Sequence, residues 1–93
     1  MAFADEQSYE EMISALQSFV KDAGEQCDLM ESAGNDCVDN TEDDPAATKS
    51  NERLQKCVGG IRATFDTING IISALQEELE EIRIAAAKAN DGE

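Results

Sequence analysis

Three cysteines are the residues of this sequence with the most chemistry available to them. Cys27, Cys37 and Cys57 are odd in number and form no Cys-x-x-Cys pair. The chain has no histidine that could activate a thiol or complete a zinc site. A fold-back of the chain would bring Cys27 and Cys57 to similar heights. This leaves two alternatives open: a disulfide between them, or reduced thiols that pack as small hydrophobes.

Acidic side chains could offer metal ligands in two short stretches, residues 36–44 and residues 77–81. The first stretch lacks the alternating acidic positions and the glycine of an EF-hand calcium loop. The second, Glu77-Glu78-Leu79-Glu80-Glu81, lacks the Glu-x-x-His motifs of a di-metal helical bundle. We interpret both as solvated surfaces. The sequence therefore predicts no catalytic residue, no metal site, no cofactor and no enzymatic activity.

Composition excludes further classes of function. The 93 residues contain 21 acids and 7 bases, a formal net charge of −14. Binding to nucleic acid or to an anionic membrane needs clustered Lys and Arg, which this chain lacks. No apolar run reaches the about 18 residues of a membrane span, and the N-terminus does not resemble a signal peptide. The apolar residues, 41% of the chain, are ordered along it, which argues against disorder.

The first half of the sequence predicts a helix over about residues 6–36. Its apolar residues alternate at spacings of four and three, the pattern of a heptad seam: Tyr9, Ile13, Leu16, Val20, Ala23, Cys27 and Met30. Ser8 and Glu11 fit a capping box at the helix start. Gly34 and the residues after it weaken the pattern, so we expect the helix to end between residues 33 and 39.

The second half predicts a longer helix over about residues 45–90. Its seam runs through five heptads in one phase: Leu54, Val58, Ile61, Phe65, Ile68, Ile72, Leu75, Leu79, Ile82, Ala86 and Ala89. Asp44 and Pro45 form a start signal, with aspartate as N-cap and proline at the first helical position. The phase passes through Gly59-Gly60 unshifted, which favours a continuous helix there. The acidic turn then falls at about residues 37–44.

These elements predict an all-α fold, an antiparallel helical hairpin in a single domain over residues 1–93. Residues 1–46 carry a net charge of −12 (13 acids, one base), and residues 47–93 carry −2 (8 acids, 6 bases). The bases early in helix 2 would lie beside the acids late in helix 1 only if the helices are antiparallel. Exposed pairs of this kind contribute little stability, but they specify direction.

Apolar residues beyond the seams predict a protein partner. Met12, Phe19, Cys57 and Ile71 form a second apolar line that a two-helix seam cannot cover. At the end of helix 2, the residues expected to project beyond helix 1 are Leu79, Ile82, Ile84 and residues 85–87. We therefore predict a partner interface at six residues: Met12, Phe19, Ile71, Leu79, Ile82 and Ala86. A second copy, completing a four-helix bundle, or a related helical chain would cover it.

The second helix resembles a known family. The stretch Ile61-Arg-Ala-Thr-Phe65-Asp-Thr-Ile68, continued through Leu75 to Ile82-Arg-Ile-Ala-Ala-Ala, is similar to the second helix of the WXG superfamily of type VII secretion. The resemblance implies an antiparallel homodimer or heterodimer. Such proteins are exported as folded pairs, or they chaperone the N-terminal helical domain of an LXG toxin. It also implies a cytoplasmic location before export, and secretion without a cleavable signal peptide.

Two motifs of that family are absent here, the Trp-x-Gly turn and the C-terminal Tyr-x-x-x-Asp/Glu export signal. Their absence suggests that a partner supplies the export signal, as in divergent accessory members. A different class of function stays open beside this one. The net charge of −14 is typical of acidic inhibitors, such as phage-encoded nucleic-acid mimics that occupy a basic groove. That mode of binding is lost in moderate salt, because surface charges are screened over about 8 Å.

Overall fold

The chain folds into two long helices. A computed structural model describes the backbone of residues 2–91 and the side chains of residues 6–89. Helix α1 spans Ala2–Asn40, helix α2 spans Pro45–Asp91, and the two form a hairpin. Residues 41–44 connect them, inside the predicted turn, and no strand occurs in residues 2–91. The all-α hairpin predicted from the two seams is confirmed.

The bounds of α1 differ from the sequence prediction at both ends. The helix begins at Ala2 and ends at Asn40, so the capping box assigned to Ser8 and Glu11 is wrong, because both residues lie inside the helix. Gly34 also lies inside it. The intrinsic cost of a helical glycine is about 1 kcal/mol, and here the glycine permits close packing against α2. Helix α2 runs through Gly59-Gly60 without a break, as predicted.

The C-terminus of α1 closes in a Schellman arrangement. The N–H of Asp43 donates to the carbonyl of Val38 at 3.0 Å, and the N–H of Glu42 donates to the carbonyl of Asp39 at 3.3 Å. The turn places Glu42 in the left-handed region, with a φ of 53°. That position normally holds glycine, because a side chain is strained there.

The start of α2 follows the predicted capping pattern. The carboxylate of Asp44 accepts the N–H groups of Ala46 and Ala47 at 3.1 and 3.2 Å. Its carbonyl accepts the N–H of Thr48 at 2.9 Å, which closes the first turn. Pro45 has no N–H to satisfy at this position. Turn and cap together explain why the chain reverses within four residues.

The packing falls into two compact units, which we name by their place in the chain. The turn unit is Val20–Asp66, and the terminal unit comprises the chain up to Phe19 and from Thr67 onward. Each has a small apolar core built from the predicted seams. The turn unit buries Cys27, Val58 and Phe65. The terminal unit buries Ile13, Ile72 and Leu79.

Candidate partner-binding surface

An ion pair defines one side of the terminal unit. The guanidinium of Arg83 donates to the carboxylate of Glu10, with 2.5 Å between Nη2 and Oε1. Glu10 follows the seam residue Tyr9 by one position, and Arg83 follows the seam residue Ile82 by one position. One residue turns a helix by about 100°. Residues that follow the seam therefore lie together on one side, which we call the polar side.

Residues that precede the seam lie on the opposite side of the terminal unit. Met12 precedes Ile13, and Ile71 precedes Ile72. Because α1 and α2 run antiparallel, the residue before a seam residue lies on the same side of the terminal unit in both helices. Phe19 is seven residues after Met12 and shares its side of α1. Met12, Phe19 and Ile71 therefore form one surface, which we call the apolar face.

The apolar face leaves large side chains in solvent. Exposed fractions are 50% for Met12, 51% for Phe19 and 42% for Ile71. Between and beside them the same face carries small exposed residues: Ala15, Thr67, Ala74 and Ala85. Because burying a large apolar side chain completely contributes about 1.5–3 kcal/mol, covering each half-exposed one would contribute about 1 kcal/mol. These three residues of the second apolar line thus form a surface that is about half exposed in the hairpin.

Acidic residues dominate the charge around the apolar face. The described side chains of the terminal unit include seven acids: Glu6, Glu10, Glu11, Glu77, Glu78, Glu80 and Glu81. The same part of the chain has two bases, Arg83 and Lys88, and Arg83 is engaged by Glu10 on the polar side. Glu78 and Glu81 each precede a seam residue, so they lie on the apolar face itself. Both are exposed.

The structure changes the role of one predicted interface residue. Leu79 is only 6% exposed and packs in the core of the terminal unit. The expectation that it projects beyond helix 1 is wrong, because Leu79 packs in one cluster with Ile13 of α1, and Tyr9 packs against that cluster. Ile82 and Ala86 are half-buried. Their assignment to a partner interface stays a prediction.

Two further apolar residues are exposed. Leu29 is 62% exposed on α1 and Ile84 is 47% exposed on α2. Leu29 was missed by the sequence interpretation, although it precedes the seam residue Met30 and so stands one position beside the seam. Ile84 was expected to project beyond helix 1, and it belongs to the terminal unit. Because it neither lies on the seam nor precedes a seam residue, Ile84 is outside the apolar face. It therefore offers a matched control for substitutions on that face.

The three cysteines are free thiols in the structure. Cys27, Cys37 and Cys57 are all unbridged, so the disulfide alternative is wrong in this structure. Cys27 is 1% exposed in the core of the turn unit, where Val58 packs with it. Cys57 is one position before Val58, which turns it out of the seam and into solvent. Of that pair, only Cys27 packs as a buried hydrophobe.

The turn unit has its own cross-helix ion pairs. Arg62 Nη2 lies 2.6 Å from Asp28 Oδ1, and Arg62 Nε lies 3.0 Å from Glu31 Oε1. The hydrogen bonds that Arg62 donates to Glu31 and, to a smaller extent, to Asp28 raise the pKa of Arg62 above its ordinary value. These are two of the pairings that the charge pattern predicted. They favour the antiparallel register more than they add stability, because all three side chains are partly exposed.

Two grooves among the described residues do not bring together the groups of an active site. A groove of about 350 Å³ on the polar side is lined by glutamine, glutamate and serine around the Glu10–Arg83 pair. A second, of about 320 Å³, lies near the turn between Gly34, Cys37 and Leu54. Within residues 6–89, no three His, Cys, Asp or Glu side chains converge to hold a metal ion. The apolar face is therefore the strongest candidate site.

Comparison with known proteins adds no further constraint. No protein-family model, no curated protein and no solved structure matches this chain. Neither helix, over the residues described, contains a segment of sufficient length and hydropathy to cross a bilayer.

Proposed function

We propose that this protein is a non-enzymatic interaction protein that packs its apolar face against helices of another chain. The observation that carries this is the exposure of Met12, Phe19 and Ile71 on one side of the terminal unit. A hairpin of two helices buries little core for its length, and six core residues are buried here. Covering the apolar face would add to that core.

The WXG-like resemblance gives this proposal a biological setting. Such a protein pairs with a second copy as a four-helix bundle, or with a related helical chain such as the N-terminal domain of an LXG toxin. The hairpin of 39 and 47 helical residues with a four-residue connection supports the proposal by its layout. The proposed role is a secreted factor, or a chaperone that targets a toxin to the type VII export machinery.

Self-association tests whether the apolar face is an interface. Light scattering at micromolar concentration should detect a species larger than the monomer once about 1 M salt screens the charge of −14 between copies. Phe19→Gln should return it to the monomer, because it places a polar group where apolar contact is needed. Ile84→Gln, at an apolar residue of similar exposure outside the face (47% against 51% for Phe19), should leave the association unchanged.

Two results would contradict this proposal. One is a chain that stays a helical monomer under all these conditions and also binds no amphipathic helical peptide with an apolar stripe. The other is an association that Phe19→Gln and Ile84→Gln weaken equally. Circular dichroism of each variant checks that the hairpin is still folded. Met12→Gln gives a second substitution on the face if Phe19→Gln lowers the helix content.

A second candidate function is an acidic inhibitor that occupies a basic groove. The net charge of −14, of which −12 lies in residues 1–46, favours it. Such binding would vanish between low and moderate salt and would be indifferent to Phe19→Gln. The interaction-protein proposal instead requires that Phe19→Gln weakens binding.

A further inference from the structure

The apolar face has two chemically different halves. Nearest the turn unit are Phe19, Ile71 and Met12, which expose apolar surface. Glu78 lies seven residues beyond Ile71 on the same line of α2, about 10.5 Å along the helix. Glu81 follows one turn later. The face thus changes from apolar to acidic toward the termini.

Acids outnumber bases on this face and around it. Arg83 follows the seam and is held by Glu10 on the polar side. Lys88 precedes the seam residue Ala89, so it lies on the apolar face, about two turns beyond Glu81. A second copy would bring the same surplus, seven acids against two bases among the described side chains of its terminal unit. Two copies, each with a net charge of −14, repel each other, whereas a basic chain is attracted to this face.

From this charge distribution we infer that the apolar face binds an amphipathic helix of a different chain, whose apolar stripe is flanked by Lys or Arg. This inference rests on the proposed function and specifies the partner's chemistry. The apolar stripe packs on Met12, Phe19 and Ile71 with anchors at spacings of three, four and seven residues. Basic side chains beside it pair with Glu78 and Glu81. Charge then selects the partner, while apolar burial supplies most of the affinity.

Three synthetic helical peptides test this inference against the full chain. They share one apolar stripe of leucines and differ only in the flanking residues, which are Lys, Gln or Glu. Fluorescence anisotropy of the labelled peptides gives their dissociation constants at low salt and at about 1 M salt. We expect the Lys peptide to bind about fivefold tighter than the Gln peptide, and the Glu peptide to bind more weakly than both. High salt should remove most of these differences.

Matched variants locate the contact on the molecule. Glu78→Gln should reduce the advantage of the Lys peptide over the Gln peptide, whereas Glu80→Gln should not. Glu80 follows the seam residue Leu79 and belongs to the polar side, so it is a neighbouring glutamate outside the face. Phe19→Gln should weaken all three peptides, because it removes the apolar contact that they share.

The outcomes separate this inference from the proposed function. Equal binding of the three peptides, weakened in each case by Phe19→Gln, would overturn the inference and leave the apolar face as an interface. Equal effects of Glu78→Gln and Glu80→Gln would likewise overturn it. Self-association already at low salt that blocks the Lys peptide would assign the face to a second copy instead. Absence of any peptide binding would overturn the inference, and a chain that is also monomeric at about 1 M salt would overturn both.

Discussion

The backbone of Gly34 in α1 lies directly against the side chain of Asn51 in α2. A Cβ at residue 34 would overlap with Asn51 Oδ1 and come within 2.9 Å of Leu54 Cδ2. Asn51 is held in place, because its amide donates to Asn35 at 3.1 Å and its Oδ1 accepts from Gln55 at 3.0 Å. The glycine that the sequence suggested as a helix terminator is therefore a packing residue inside the turn unit.

Substitution of two glycines should shift stability in opposite directions. Gly34→Ala should lower the free energy of unfolding by about 1–3 kcal/mol, because Asn51 and Leu54 must move. Gly24→Ala should raise it by about 0.5–1 kcal/mol, because a Cβ there meets nothing within 4 Å and alanine favours helix. Urea denaturation of the two variants measures both changes. Equal signs would contradict the close approach at Gly34.

The turn contains a position where glycine should be better than the native residue. Glu42 has a φ of 53°, which strains a residue with a side chain. Glu42→Gly should therefore stabilise the hairpin by about 0.5–1 kcal/mol. The same change at Glu52, within α2, should destabilise it by about 1 kcal/mol, because glycine disfavours a helix interior. Thermal denaturation followed by circular dichroism compares them, and a destabilised Glu42→Gly variant would refute the turn geometry.

Leu79 should behave as a core residue rather than as a contact for a partner. Leu79→Ala should lower the free energy of unfolding by about 2–4 kcal/mol, because it removes buried atoms beside Ile13 and Ile72. Ile84→Ala, five residues along the same helix and 47% exposed, should change it by less than about 0.5 kcal/mol. Denaturant titration at one protein concentration gives both values. A near-neutral Leu79→Ala would restore the view that this residue projects beyond α1.

The three thiols should differ in their reactivity with a disulfide reagent. Two of them, Cys37 and Cys57, are exposed and should react in the folded protein. Cys27 is buried and should react only when the chain is unfolded by denaturant. A colorimetric thiol titration with and without denaturant counts them. A single reactive thiol in denaturant would instead indicate a Cys27–Cys57 disulfide.

The heptad seams predicted the pairing of the helices well, because a helix has one period and its apolar stripe must face another element. The helix cap at Asp44 could also be predicted from the sequence, since it depends on residues adjacent in sequence. The packing role of Gly34 and the backbone conformation of Glu42 could not be predicted from neighbouring residues. The effect of Gly34 depends on a side chain 17 positions away, and that of Glu42 on a conformation that its residue type does not favour.

For the candidate site, too, helical periodicity predicted one part and the tertiary structure decided the rest. The sequence by itself determined that Met12, Phe19 and Ile71 lie beside the seams, because this follows from helical periodicity alone. Only the tertiary structure decided that these three residues remain half exposed and that the seam residue Leu79 is covered. Leu79 became core because α1 extends far enough to reach it, and Cys57 became exposed because Val58 occupies the seam. The reach of one helix along another is set by helix ends and close contacts, which periodic patterns do not encode.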